Sequence, residues 1–389
     1  MTDRTRFVIL VVTAPILAYT LVGGLLGREV EVEGTYRHLR VFEDVVALVS
    51  NNYVEEVEPD TVMQGALWGL AEGLDPESAY LTPDDVATRE AGDDANEVGV
   101  GLVLTRQYYI QVVAARDGSP AAEAGLQPGD YIRAIDDHPT RTMSTVRGHQ
   151  LLQGPPGSTV TLTVIRGNAA EPTDLALVRS GDRSANVTSR MAGDGVGYIR
   201  IAEFDATTAD AVTSAADRLS GLGATGLVVD LRGTATGDYE AGLATAAMFT
   251  DADTLALRET STEQTPMTRA TTGPSIDVPV VLVTDFGTAG AAELFAGALT
   301  DTGRADSVGL RTAGRAAEQT LVPLPDGGGL LLSSSRYLTP SGDPIHRAGV
   351  EPAVVAQPPL PEIGTVAADP DEDPVLDRAV EHLGTLPTA

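Results

Sequence analysis

The sequence predicts a multidomain α+β protein built from an N-terminal membrane helix, a small helical unit, a β-rich domain and an α/β core. Three observations lead there. Phe7 to Leu26 is an almost unbroken apolar run, the apolar spacing changes from helical to strand-like near Glu97, and beyond about Arg190 strands alternate with helical segments. A chain of 389 residues exceeds one ordinary domain, and its 42% hydrophobic content can fill more than one core.

The run from Phe7 to Leu26 follows Arg4 and Arg6, giving it the length and flanking charge of a membrane-spanning helix with its N-terminus inside. It is longer than the apolar region of a cleaved signal peptide, and no clear small-x-small site follows. Residues 1–28 are therefore expected to be a cytoplasmic stub and transmembrane anchor. The rest of the chain would then lie outside the cytoplasm, as a single-pass protein of the cell membrane. A net charge of −29 argues against nucleic acid or anionic membrane surfaces as partners. With no cysteine there can be no disulfide, thiol nucleophile, thiolate metal site or lipid on an N-terminal cysteine. His38, His138, His149, His346 and His382 are scattered without short ligand spacing, so neither a metal site nor a cofactor is expected.

In residues 34–85, Val41, Val45, Val46 and Val49 form one helical stripe, and Val62, Ala66, Leu67 and Leu70 form another. Two helices are expected, closed by the turn-rich stretch Leu74 to Pro83 with Asp75 or Ser78 as a cap. Residues 86–168 read as short strands at Gly101–Leu104, Ile110–Ala114, Tyr131–Ile135 and Val160–Ile165, with helical pieces at Ala121–Ala124 and Thr142–Leu152. With Gly99-Val100-Gly101-Leu102, Ser119-Pro120-Ala121-Ala122 and Gly125-Leu126-Gln127-Pro128-Gly129-Asp130, this stretch resembles a PDZ domain. The resemblance implies that Gly99, Val100, Gly101 and Leu102 converge backbone N–H groups on a peptide's C-terminal carboxylate while the next strand edge pairs with the peptide.

Residues 190–356 alternate strands at Val196–Ile201, Gly226–Leu231 and Val278–Val283 with helices near Thr207–Leu219, Glu240–Phe249 and Ala291–Asp301. An antiparallel finish is expected at Gln319–Pro323 and Gly329–Ser335. Residues 357–389 read as an acidic, proline-rich tail with a short helix at Val375–Leu383.

Several words of the third unit occur in a familiar order: Gly197-Tyr198-Ile199-Arg200-Ile201, Val228-Val229-Asp230-Leu231-Arg232, Arg336-Tyr337-Leu338-Thr339-Pro340, and Gly349-Val350-Glu351-Pro352. With them the chain resembles the C-terminal processing (tail-specific) serine peptidases with a PDZ domain, over roughly Tyr53 to Val355. That resemblance implies a serine nucleophile, a lysine of lowered pKa as its base, and a glutamine nearby. Here the serine position is occupied by Gly290, the lysine position by Arg315, and the glutamine position by Gln319. All 26 basic residues are arginine, so no other alignment can supply a lysine. An arginine cannot take the proton, because its guanidinium stays charged above about pH 12. The oxyanion region is altered as well, with Thr236 and Gly237 where the family carries two glycines.

The expectation is a degenerate member with no functional catalytic residue, which binds unfolded or extended protein C-termini and works beside an active peptidase or another envelope protein. The alternative is an active serine-type endopeptidase with a non-standard nucleophile or base. Thr288 is the weak candidate nucleophile, although capping the following helix suits it better.

Overall fold

A computed structural model describes residues 40–55, 58–92, 97–167, 169, 171–181, 184–268, 273–357, 363 and 372–387. The expected membrane helix at residues 7–26 lies outside the described residues. No helix among those described is long and apolar enough to cross a membrane.

The chain divides into two compact units after Leu70. The first contains helix α1, over residues 40–52, and most of α2, Pro59–Glu72. Its stripes are less buried than the sequence predicts: Val41 is 58% exposed, Val45 50% and Leu70 58%.

The second unit opens with β1 (Ala79–Leu81) and α3 (Pro83–Ala91). Thr82, and not Asp75 or Ser78, caps α3, in a reciprocal box where its hydroxyl accepts from Asp85 N. Asp75 instead folds the preceding turn by accepting from the N–H groups of Glu77 and Ser78.

A six-stranded sheet follows, with β2 (Leu102–Gln107), β3 (Tyr109–Ala115), β4 (Tyr131–Ile135), β5 (His138–Pro139), β6 (Thr159–Ile165) and β7 (Thr173–Val178). Its order is β2-β3-β4-β6-β7 with β5 beside β4, so β2 is an edge strand. Two helices accompany it, α4 (Pro120–Glu123) and α5 (Thr145–Leu152), and α5 packs on β2. β7 carries this sheet past residue 168 by pairing Thr173–Val178 with Thr159–Val164.

The core contains β8 (Val187–Gly193), β9 (Val196–Ile201), α6 (Thr208–Gly221), β10 (Gly226–Asp230), α7 (Tyr239–Ala246), β11 (Thr254–Thr260), β12 (Gln264–Thr268), β13 (Val280–Thr284), α8 (Ala291–Asp301) and β14 (Asp306–Gly309). It ends with β15 (Ala317–Pro323), β16 (Gly329–Leu338), β17 (Val354–Val355) and α9 (Pro374–Leu383). The central sheet runs β17-β14-β13-β10-β9-β8, parallel throughout except for β8.

Alternate side chains of β10 and β13 face opposite ways, as strand geometry requires. Leu227, Val229, Val280 and Leu282 join the cluster under α6, α7 and α8. Val228, Val281 and Val283 face the other side, where Val375, Leu376, Ala379 and Leu383 of α9 cover them. The final helix is therefore part of the core and not of a detached tail. Burying each larger aliphatic side chain there contributes about 1.5–3 kcal/mol, and Arg232 fixes the helix start by pairing with Asp373 at 2.6 Å. A second sheet, β1-β16-β11-β12 with β15 on β16, completes the unit.

Candidate functional site

β13 delivers the chain to a turn at residues 285–289, and Gly290 begins α8 with φ 62° and ψ −119°. Only glycine adopts this left-handed backbone without cost. A Cβ placed on Gly290 would meet nothing nearer than the Tyr239 ring, at 3.9 Å. The turn is thus an elbow that presents one position to open space, and that position carries no side chain.

The buried carboxylate of Glu293 organises everything around the elbow. Its Oε2 accepts from Gly290 N at 3.0 Å and Arg315 N at 2.7 Å, while Oε1 accepts from Thr312 Oγ1 at 2.5 Å and Gly314 N at 2.6 Å. Burial pushes the Glu293 carboxyl above its ordinary range, against the pull of these four donors. Because one oxygen holds both Gly290 N and Arg315 N, the two positions singled out in the sequence stand together. Gln319 lies on β15, half-buried, opposite Ser333 of β16.

The Arg315 guanidinium forms a two-point ion pair with Glu77, at 2.5 and 2.6 Å. Glu77 also accepts from Thr105 Oγ1 on β2, at 3.3 Å. Burial opposes the guanidinium charge, but Glu77 outweighs it and holds the pKa above its ordinary value. Arg315 is a fixed cation with no lone pair to offer.

Thr288 is fully buried, and its hydroxyl donates to Leu231 O at 2.9 Å. It accepts from Asp285 N at 3.1 Å, so it closes the turn before the elbow and does not cap α8; Gly290 holds the cap position. The capping role expected of Thr288 is thus corrected, since Gly290 holds that position. Asp285 accepts from Gly233 N and Gly287 N, both at 2.9 Å, which ties the elbow to the loop after β10. At Gly287 there is no spare room, since a Cβ would fall 2.7 Å from Pro128 Cγ and 3.1 Å from Val113 O of the β-rich domain.

Thr236 and Gly237 follow in that loop. Gly237 has φ 134°, and a Cβ there would lie 2.5 Å from Phe204 O, so this glycine is required by close backbone approach. Thr236 O accepts from Phe204 N at 3.4 Å.

Thr236 also lines a cavity of about 420 Å³ together with Gly99, Val100, Gly101 and Leu102. Gly101 has φ 80°, and a Cβ on it would strike Ser119 Cβ at 2.2 Å. The carbonyls of Gly99, Val100 and Gly101 accept from Ser180, Ala121 and Arg116 N–H groups. Among the described residues, no acceptor receives the N–H groups of Gly99, Val100 or Gly101. The loop that carries these donors lines the cavity together with Leu152 of α5. Gly290 and Arg315 do not line it.

Glu77, Tyr239 and Glu293 were not identified as site residues from the sequence. Glu77 stands 238 positions from Arg315, and nothing in its own turn announces the pairing. Tyr239, whose hydroxyl donates to Ala317 O at 2.9 Å, gives no sequence signal either. Glu293, three residues into a helix from a glycine, carried the spacing of a capping box.

Residues 195–356 match peptidase family S41, and residues 111–166 match the PDZ domain. A carboxy-terminal-processing protease of Bartonella bacilliformis is 30% identical over 337 residues, covering 85% of this chain and 77% of that protein. A carboxyl-terminal-processing protease of Synechocystis is 31% identical over 304 residues, covering 76% of this chain and 71% of that one. The solved structure of a photosystem II D1 C-terminal processing protease is similar with a TM-score of 0.68 at 28% identity, covering 81% of this chain and 92% of its own.

Proposed function

The chain belongs to peptidase family S41, the C-terminal processing peptidases, and on that premise we propose that it captures protein C-termini without cutting them. One observation carries the reading: beside an elbow that bears only Gly290, the candidate base position holds Arg315, locked to Glu77, in a chain with no lysine. Serine-lysine hydrolysis needs a side chain to attack and a neutral amine to take the proton, and neither is present.

Capture draws instead on the loop Gly99 to Leu102, where the N–H groups of Gly99, Val100 and Gly101 have no acceptor among the described residues and suit a carboxylate, and on the open edge of β2. The partners are unfolded or extended protein C-termini, presented to a protein tethered outside the cytoplasm by the apolar run Phe7 to Leu26. An active peptidase or another envelope protein would receive what is captured.

The second reading, continued hydrolysis with an unusual nucleophile, is favoured by the names of the relatives, which are proteases. One experiment separates the two. The full-length protein is incubated with unfolded peptides and with a fluorophosphonate probe, while affinity is measured for the same peptides as free acids and as amides. Capture without cleavage gives intact peptides, no labelling and a preference for the free acid. Peptide fragments or a labelled serine or threonine overturn it.

A further inference from the structure

We infer that the cavity prefers C-termini carrying a basic side chain in their last two residues, with Arg116 holding the terminal carboxylate and Glu203 the basic group. This rests on the capture reading above and adds the charge pattern of the ligand.

Arg116 N donates to Gly101 O at 2.8 Å, which pins the residue beside the loop whose N–H groups are free. Its side chain lines the cavity half-buried, and its guanidinium has no partner among the described residues. The obvious partner, the neighbouring Asp117 carboxylate, is taken by Arg200, at 2.9 and 3.1 Å. A half-desolvated cation next to unused backbone donors suits an incoming carboxylate, since each charge-assisted bond strengthens in that setting.

Glu203, which follows β9 of the core, lines the same cavity. It too is half-buried, and its carboxylate has no partner among the described residues. Arg116 and Glu203 are thus opposite charges in one enclosure that do not pair with each other. A ligand that satisfies both must carry an anion and a cation, as the end of a peptide with a terminal or penultimate arginine or lysine does. Val100, Leu102 and Leu152 would cover the aliphatic stem of that side chain. A volume of about 420 Å³ suits a chain end, lying low in the usual range of about 300–1,000 Å³ for ligand pockets. The protein's net charge of −29 also draws basic peptides towards it.

The test is fluorescence anisotropy on the full-length protein, with labelled peptides ending in Arg, Lys, Leu or Glu, each as free acid and as amide. The Arg and Lys free acids should bind tightest. Amidation and Arg116→Gln should each weaken binding about tenfold, the scale of one hydrogen bond to a charged group, and in Arg116→Gln amidation should matter less, the loop N–H groups alone then favouring the free acid. Glu203→Gln should abolish the advantage of basic over Leu ends while keeping the acid-over-amide preference. Neither side chain has a partner to lose among the described residues, so unchanged melting temperatures should accompany both variants. An undiminished acid-over-amide preference in Arg116→Gln, or Leu ends binding as tightly as basic ends, overturns this inference and leaves capture standing. Equal binding of acid and amide by the unmodified protein overturns capture itself, and this inference with it.

Discussion

Replacing Arg315 by alanine should destabilise the protein through what it leaves behind. Glu77 is only 11% exposed in its side chain, and after the change its remaining partner is the Thr105 hydroxyl at 3.3 Å. Breaking a buried pair from one side costs about 3–5 kcal/mol. The 20% exposure of the Arg315 side chain lets some water relieve that cost, so the expected loss lies near the lower end, about 3 kcal/mol. Arg315→Lys keeps the charge but loses the two-point fork, and should cost about 1–2 kcal/mol. Removing both charges together as Glu77→Gln with Arg315→Met leaves no orphan and should fall within about 1 kcal/mol of the parent. Equilibrium urea unfolding, followed by far-UV circular dichroism and tyrosine fluorescence with coincident transitions, reads these values from the midpoint at constant slope. If Arg315→Ala and the paired variant lose equal stability, the ion pair is not an energetic unit and the reasoning fails.

Other outcomes follow from the same geometry. Gly290→Ser should fold, because space beyond the Cβ is open, at a cost of about 1–3 kcal/mol for the left-handed backbone. It should remain unlabelled by fluorophosphonate, since no lysine is available to activate it; labelling would refute the role given to the missing base. Gly237→Ala should be much worse, with a Cβ 2.5 Å from Phe204 O, and a soluble yield equal to the parent's would contradict the close approach. Thr288→Ala should cost about 1–3 kcal/mol, because Asp285 N loses its acceptor while the Leu231 carbonyl keeps Thr234 N at 3.1 Å, and should leave peptide affinity unchanged. Burial lowers the pKa of His346, against the pull of Asp75 and Glu77, and its Nδ1 is buried without a partner among the described residues. The unfolded state then binds the extra proton, so this stability is present above the unfolded pKa of about 6.5 and is lost as pH falls towards the folded value. A His346→Phe variant should show a shallower loss of stability between neutral and mildly acidic pH; an identical slope would dismiss the residue.

The parallel strands of the core were legible because β10 and β13 are apolar on both faces, and every residue of each is buried. The start of α8 at Ala291 was legible too, from the small residues ahead of Glu293 and the apolar run behind it. What escaped was set by distance along the chain. β1 is three residues long and exists because Ala79 to Leu81 pair with Leu331 to Gly329. The docking of α9 depends on a sheet face whose need for cover is invisible until the sheet is assembled. The stripe on α1 was read correctly as helical, but periodicity says which residues share a face and not whether anything covers it. At the site, Gly290 and Arg315 could be picked out by local words, whereas Glu77 and the place of Arg116 in the cavity needed the fold.

The four bonds accepted by Glu293 separate two kinds of inheritance in this molecule. The shape of the elbow is maintained by a residue that would perform no chemistry, so mutations that erase reactivity at position 290 leave the scaffold unaware of the loss. Selection on form and selection on turnover can then act on different codons. A lineage carrying such an elbow can drift out of catalysis while its fold, and any binding the fold supports, stays under full scrutiny.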